Sequence, residues 1–152
     1  MTIPPRLLCW ISIAWLCSGG LVEAKEGSIL WKIGQTDGSA AEFALAPGGF
    51  RDFANGPCFM VGWSDPAQDW PYVHPGPSDG WAGHRSHTFT ILFSLKRLPK
   101  AGECALYLHF VDTHSVHPPV MRIVVNGRSF SRRLPAGAGD ASIHGDHATG
   151  AP

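Results

Sequence analysis

No stretch of this chain keeps a helical hydrophobic period. Its apolar residues come in short runs, SILWKIG (28–34), CFMVGW (58–63), HTFTILFSL (87–95), ALYLHFVD (105–112) and VMRIVVNG (120–127), rich in β-branched and aromatic side chains. Gly, Pro, Asp and Ser separate them, and with 18 Gly and 13 Pro in 152 residues the breakers end each run at about one strand's length. Runs of this kind form strands, and no amphipathic helix is left to cover a sheet. The expected fold is all-β. Half-buried strands without helices bury their apolar faces against each other, as an antiparallel β-sandwich of two sheets.

The clearest alternation is in HTFTILFSL, where His87, Phe89, Ile91, Phe93 and Leu95 share one face and Thr88, Thr90 and Ser94 the other. In ALYLHFVD the apolar face is Leu106, Leu108 and Phe110. Folding these two strands about KRLPKAGE sets Phe93 opposite Leu106, Ile91 opposite Leu108 and Phe89 opposite Phe110. Continued outward, the register sets His87 opposite Asp112 and Arg85 opposite His114. Arg85, His87, Asp112 and His114 are thus expected as a structural polar cluster at the rim of the core, satisfied by one another and by nearby backbone. Asn126-Gly127 between apolar runs is the strongest short-range hairpin signal, with Met121–Val125 and Ser129–Arg133 as arms. From Pro135 onward the chain has little to bury, and fewer strands can be placed than the about eight of a jelly roll. The sandwich is expected to be incomplete, spanning 25–145 with an unstructured or truncated tail at 146–152.

Residues 1–24 read as a signal peptide, with Arg6 as the basic region, LLCWISIAWLC as an apolar stretch too short to span a bilayer, and small Val22 and Ala24 before the cleavage point. The expected location is secreted or periplasmic. Cys9 and Cys17 leave with that segment, so Cys58 and Cys104 are the disulfide candidates; the alternative is two independent thiols. A bridge would close a loop of about 45 residues and stabilise by roughly 4 kcal/mol. Lys and Arg balance Asp and Glu at 12 each. That excludes a basic footprint for nucleic acid, and no cationic amphipathic helix suggests a membrane surface once the signal is removed.

The segment from Trp63 to Ile91 is the richest in chemistry. Trp63, Trp70, Tyr72 and Trp81 lie among Pro66, Pro71, Pro75 and Pro77. Aromatic rings on a stiff loop can stack on the apolar faces of sugars at small entropic cost, and they are also how a long loop packs itself. Asp79 is the carboxylate that joins them as a candidate acceptor of sugar hydroxyls. Asp65, Asp69 and Asp79 suit turn capping better than calcium, which needs six to eight oxygens; no cofactor is expected, and calcium is the minor alternative. His114, His117, His144 and His147 form two pairs without zinc-ligand spacing, so no metal site is expected.

The stretches WKIGQTDGSAAEF, GWSDPAQDWPYVHPGPSDGWAGHRSHTFTILFSL, VDTHSVHPPVMRIVVNG and GDASIHG resemble the carbohydrate-binding-module-like third domain of rhamnogalacturonan lyases, polysaccharide lyase family 4. The resemblance implies a galactose-binding-like jelly roll that is one part of a larger secreted enzyme. Its implied partners are a polysaccharide or oligosaccharide of the pectic class and a catalytic domain absent from this chain. No catalytic residue is expected here, since no nucleophile motif such as GxSxG is present. A structural spacer that packs on a catalytic domain is the alternative, and an autonomous lyase the weaker one.

Overall fold

The computed structural model describes residues 29–95, 104–138 and 143. The expected signal peptide, the KRLPKAGE connection, His144, His147 and the tail at 146–152 lie outside these residues. The chain divides into two compact units, one of residues 1–31 and 94–109, the other of 32–93 and 110–152. In the first, the described residues form no helix and no strand longer than one residue. The second carries the named elements: β1 (Cys58–Met60), α1 (Pro66–Asp69), β2 (Thr90–Leu92), β3 (Val120–Val125) and β4 (Arg128–Arg133), with single 3-10 turns at Phe50–Asp52 and Gly80–Ala82. Strand outweighs helix, so the all-β reading holds at that level. No helix among the described residues is long and apolar enough to cross a membrane.

β3 and β4 form the expected hairpin, antiparallel from Val120 opposite Arg133 to Val125 opposite Arg128. Asn126 (φ 49°) and Gly127 (φ 79°) supply the two left-handed residues of a tight turn whose twist matches that of the strands. β1 and β2 pair in parallel, with Cys58 opposite Thr90, Phe59 opposite Ile91 and Met60 opposite Leu92. The ladder continues on either side, through Thr90 N–H to Pro57 C=O (2.9 Å) and Val61 N–H to Leu92 C=O (2.9 Å). Such close approach needs Gly56. A Cβ there would stand 1.9 Å from the Thr88 carbonyl oxygen.

This pairing corrects one expectation. Residues 105–110 form no strand, and Thr90–Leu92 takes Cys58–Met60 as its partner, so the register of 89–93 against 106–110 is not formed. Phe89 and Ile91 are half-buried, as the alternation in HTFTILFSL predicts, whereas Phe93, just past the end of β2, is 45% exposed; and alternation carries no information about which strand lies alongside. β1 turns Phe59 inward and Cys58 outward, so Cys58 is exposed, while Cys104, in the other unit, is half-buried.

The core of this unit is built from turns as much as from strands. Phe50, Phe53, Val73 and Ala82 are buried together, with Leu45, Tyr72, Trp81, Phe89 and Ile143 packed around them. Phe53 is the hub: its ring meets Trp81 (6.2 Å between centroids) and His87 (5.0 Å) edge-on, and stacks on Phe89 (6.1 Å). The 3-10 turn at Phe50–Asp52, closed by Phe53 N–H on Phe50 C=O, sends both phenylalanines inward and leaves Arg51 and Asp52 in solvent.

Candidate functional site

The structure sorts the aromatic rings of the Trp/Pro segment. Trp81 stands edge-on to Phe50 at 5.2 Å and to Phe53. Trp70 packs edge-on against Phe59 at 5.9 Å and Phe89 at 5.6 Å. Tyr72 joins the core cluster, donates its hydroxyl to the Ile143 carbonyl, and has its pKa raised by burial. These three rings are half-buried and spend their faces and edges on the protein's own core. Asp79 is a turn residue: its Oδ2 accepts from Gly76 N–H (2.7 Å), and its carbonyl accepts from Ala82 and His84 N–H (both 3.1 Å).

Trp63 differs from the other three, with 88% of its surface exposed. Its backbone is nonetheless held firmly. β1 ends in a turn through Gly62 (φ 87°), in which Met60 C=O accepts from Trp63 N–H (3.0 Å) and Ser64 N–H (2.9 Å). Ser64 Oγ in turn accepts from Met60 N–H (3.0 Å). On the other side, Asp65 caps α1 by accepting from Ala67 N–H (3.0 Å), with Pro66 at the first helical position, and Asp69 Oδ2 accepts from Asp65 N–H (2.8 Å). Trp63 therefore sits between two hydrogen-bonded turns with its indole in water. Met60 and Leu92, paired across β1 and β2, are also exposed, at 48% and 51%.

An open cleft of about 310 Å³ lies in the same unit, with Phe53 and Pro71 among its apolar walls and Asp52, Asn55, Gln68 and Asp69 as its polar groups. Its volume is at the small end of ligand cavities, which run from about 300 to 1,000 Å³. Two carboxylates and two side-chain amides offer both acceptors and donors, the set that recognises hydroxyl groups. Arg85 Nη2 donates to Asn55 Oδ1 at 3.4 Å in an exposed contact.

The remaining residues expected as one polar cluster take separate roles. His87 Nε2 donates to Ala82 C=O (3.0 Å) and its ring packs on Phe53. Asp112 Oδ1 accepts from Thr113 N–H (2.8 Å) and Ala138 N–H (2.9 Å), tying the 135–138 segment down beside Gly137. His114 Nδ1 accepts from Val116 and His117 N–H (3.1 and 3.0 Å) and closes a local turn. The register that would have set His87 opposite Asp112 and Arg85 opposite His114 is absent for the reason given above. Among the described residues no group of three or more His, Cys, Asp or Glu could hold a metal ion.

His74 escaped the sequence reading. Its ring lies 4.4 Å from Phe89 and 5.5 Å from Trp70, and this crowding desolvates the imidazolium and lowers its pKa from the usual 6.5 to about 4. The residue as a whole is exposed, so the lowering comes from the ring faces packed on Phe89 and Trp70. The cleft residues Asp52, Asn55 and Gln68 were also missed. GFRDFANG did hold a signal, two phenylalanines three apart with polar residues between, as on a single helical turn.

No curated protein and no solved structure matches the chain. One family model does, over residues 29–149, which takes in the whole Trp/Pro segment, the cleft and the β3–β4 hairpin. The chain belongs to the CBM-like family of polysaccharide lyase family 4, domain III.

Proposed function

We propose that this domain is a secreted carbohydrate-binding module of a rhamnogalacturonan-lyase-like protein, with a galactose-binding-like sandwich fold, and that Trp63 is its sugar-stacking ring. The observation that carries the proposal is the 88% exposed indole on a turn whose backbone is fixed on both sides. A ring in water on a rigid support loses little conformational entropy on binding, and its face is complementary to the C–H face of a pyranose. The open cleft, with Asp52, Asn55, Gln68 and Asp69, supplies hydroxyl-recognising groups within the same unit. Family membership supports a polysaccharide ligand and a catalytic domain as the module's working partner, and the pectic class is the one the family resemblance brings. Affinity electrophoresis of the intact chain in gels containing pectic polysaccharide tests this. Retardation that is lost in Trp63→Ala and kept in Asp79→Asn is expected; equal retardation of wild type and Trp63→Ala defeats the assignment.

A second reading rests on Met60 and Leu92, an exposed apolar pair across β1 and β2, with the exposed Trp63 on the turn that follows β1. Exposed apolar residues of this kind suit a spacer packed on a catalytic domain. In that case Trp63→Ala weakens domain association and leaves the affinity for sugar unchanged.

A further inference from the structure

Charge is unevenly spread along this electrically neutral chain. Asp37, Glu42, Asp52, Asp65, Asp69 and Asp79 precede β2, whereas residues 113–139 contain no acid and include Arg122, Arg128, Arg132 and Arg133. All four arginines are exposed on the β3–β4 hairpin. Their side chains have no hydrogen-bond or ion-pair partner among the described residues. No carboxylate in that stretch of sequence is at hand to neutralise them.

The register sorts them onto two faces. β3 alternates exposed and half-buried residues, so Val120, Arg122 and Val124 point outward, and their partners Arg133, Ser131 and Ser129 share that face. Arg122 stands directly opposite Ser131 and diagonal to Arg133, about 7–8 Å apart at the backbone, within reach of long side chains. Arg128 and Arg132 lie on the other face, with the half-buried Met121, Ile123, Val125 and Phe130. The outer face thus presents two guanidinium forks beside a row of two serine hydroxyls.

We propose that this outer face binds the carboxylates of an acidic polysaccharide, with Arg122 and Arg133 pairing to uronate groups and Ser129 and Ser131 meeting the adjoining hydroxyls. The inference rests on the carbohydrate-binding reading above and adds a second surface, with its own recognition groups, to it. Planar guanidinium matches carboxylate in a two-bond geometry, and serine hydroxyls both donate and accept, as sugar hydroxyls require. An exposed two-stranded face suits an extended polymer laid along it. Single-stranded nucleic acid is disfavoured because the face carries no aromatic ring for base stacking.

The test compares binding of the intact chain to polygalacturonate, to its methyl-esterified form, to neutral galactan and to single-stranded DNA, at low and moderate salt. Wild type is expected to bind polygalacturonate more tightly than the ester, with an affinity that falls as salt rises. Arg122→Gln/Arg133→Gln, with an unchanged circular dichroism spectrum, is expected to weaken polygalacturonate binding about tenfold or more and to leave ester and galactan binding unchanged. Arg128→Gln/Arg132→Gln is expected to stay within about twofold of wild type. The proposal is overturned if the outer pair has no effect, if both pairs lose equally, if the ester binds as well as the acid, or if DNA is retained as tightly as polygalacturonate. Galactan binding that depends on Trp63 while polygalacturonate gains nothing removes the arginine face and leaves the Trp63 reading standing; absence of all glycan binding removes both.

Discussion

Replacing Trp81 and Trp63 separately by alanine should give opposite outcomes from the same chemical change. A Trp side chain buries about 150–250 Å² when fully enclosed. Trp81 is half-buried, so at about 25 cal/mol per Å² the lost burial is worth about 2–3 kcal/mol. Its edge-on contacts with Phe50 at 5.2 Å and Phe53 at 6.2 Å add about 0.5–1.5 kcal/mol each. The resulting loss for Trp81→Ala is about 3–6 kcal/mol, which overlaps the about 3–5 kcal/mol of aromatic truncations in cores. Trp63 is 88% exposed and its turn is held by backbone and Ser64 bonds that alanine retains. Trp63→Ala should therefore stay within about 0.5 kcal/mol of wild type. Urea unfolding of the intact chain, followed by far-ultraviolet circular dichroism because the indoles themselves are altered, reads both from the shift in midpoint at constant slope. A loss above about 1.5 kcal/mol for Trp63→Ala, or below about 1 kcal/mol for Trp81→Ala, refutes the division of the rings into structural and surface.

Gly56→Ala should destabilise by about 2 kcal/mol, because its Cβ would stand 1.9 Å from a backbone carbonyl that cannot rotate away; a neutral outcome in the same urea experiment contradicts the parallel β1–β2 contact. His74 has a folded pKa below its unfolded value of 6.5, so its contribution to stability is complete above pH 6.5 and is lost as pH falls through about 4. Melting temperatures of wild type and His74→Phe between pH 7 and pH 4 should diverge, with the wild type falling more steeply; parallel curves contradict the desolvation. Cys58, exposed and free, should react with a thiol reagent under native conditions without prior unfolding, and mass spectrometry after native labelling should place the adduct there. Labelling of Cys58 only after reduction would show that it is bridged.

The hairpin was legible in the sequence because Asn126-Gly127 states its own geometry, a left-handed pair that only a few residues adopt. The inward faces of Phe89 and Ile91 were legible from the two-residue period, which fails at Phe93 because β2 has already ended there and the ring is 45% exposed. What alternation cannot report is the neighbour: β1 is three residues long, is preceded by Gly56 as its signal of close approach, and takes the place expected for the longer ALYLHFVD pattern. The candidate site was legible as a segment and illegible as a set of residues. Trp63, Trp70, Tyr72 and Trp81 look alike in sequence, and only the phenylalanines of GFRDF and CFM decide which of them is drawn inward. Trp81 goes to Phe50 and Phe53 and Trp70 to Phe59, whereas Trp63 follows a glycine turn that carries it past the end of β1.

The most direct measurement of the central claim is an NMR titration of the intact chain with pectic oligosaccharides, following the indole N–H resonances of its tryptophans. The Trp63 resonance should move progressively and saturate while those of Trp70 and Trp81, locked against Phe59, Phe50 and Phe53, stay nearly in place. A Trp63 resonance that does not move at millimolar oligosaccharide, in a sample whose dispersed spectrum shows it folded, would contradict that claim.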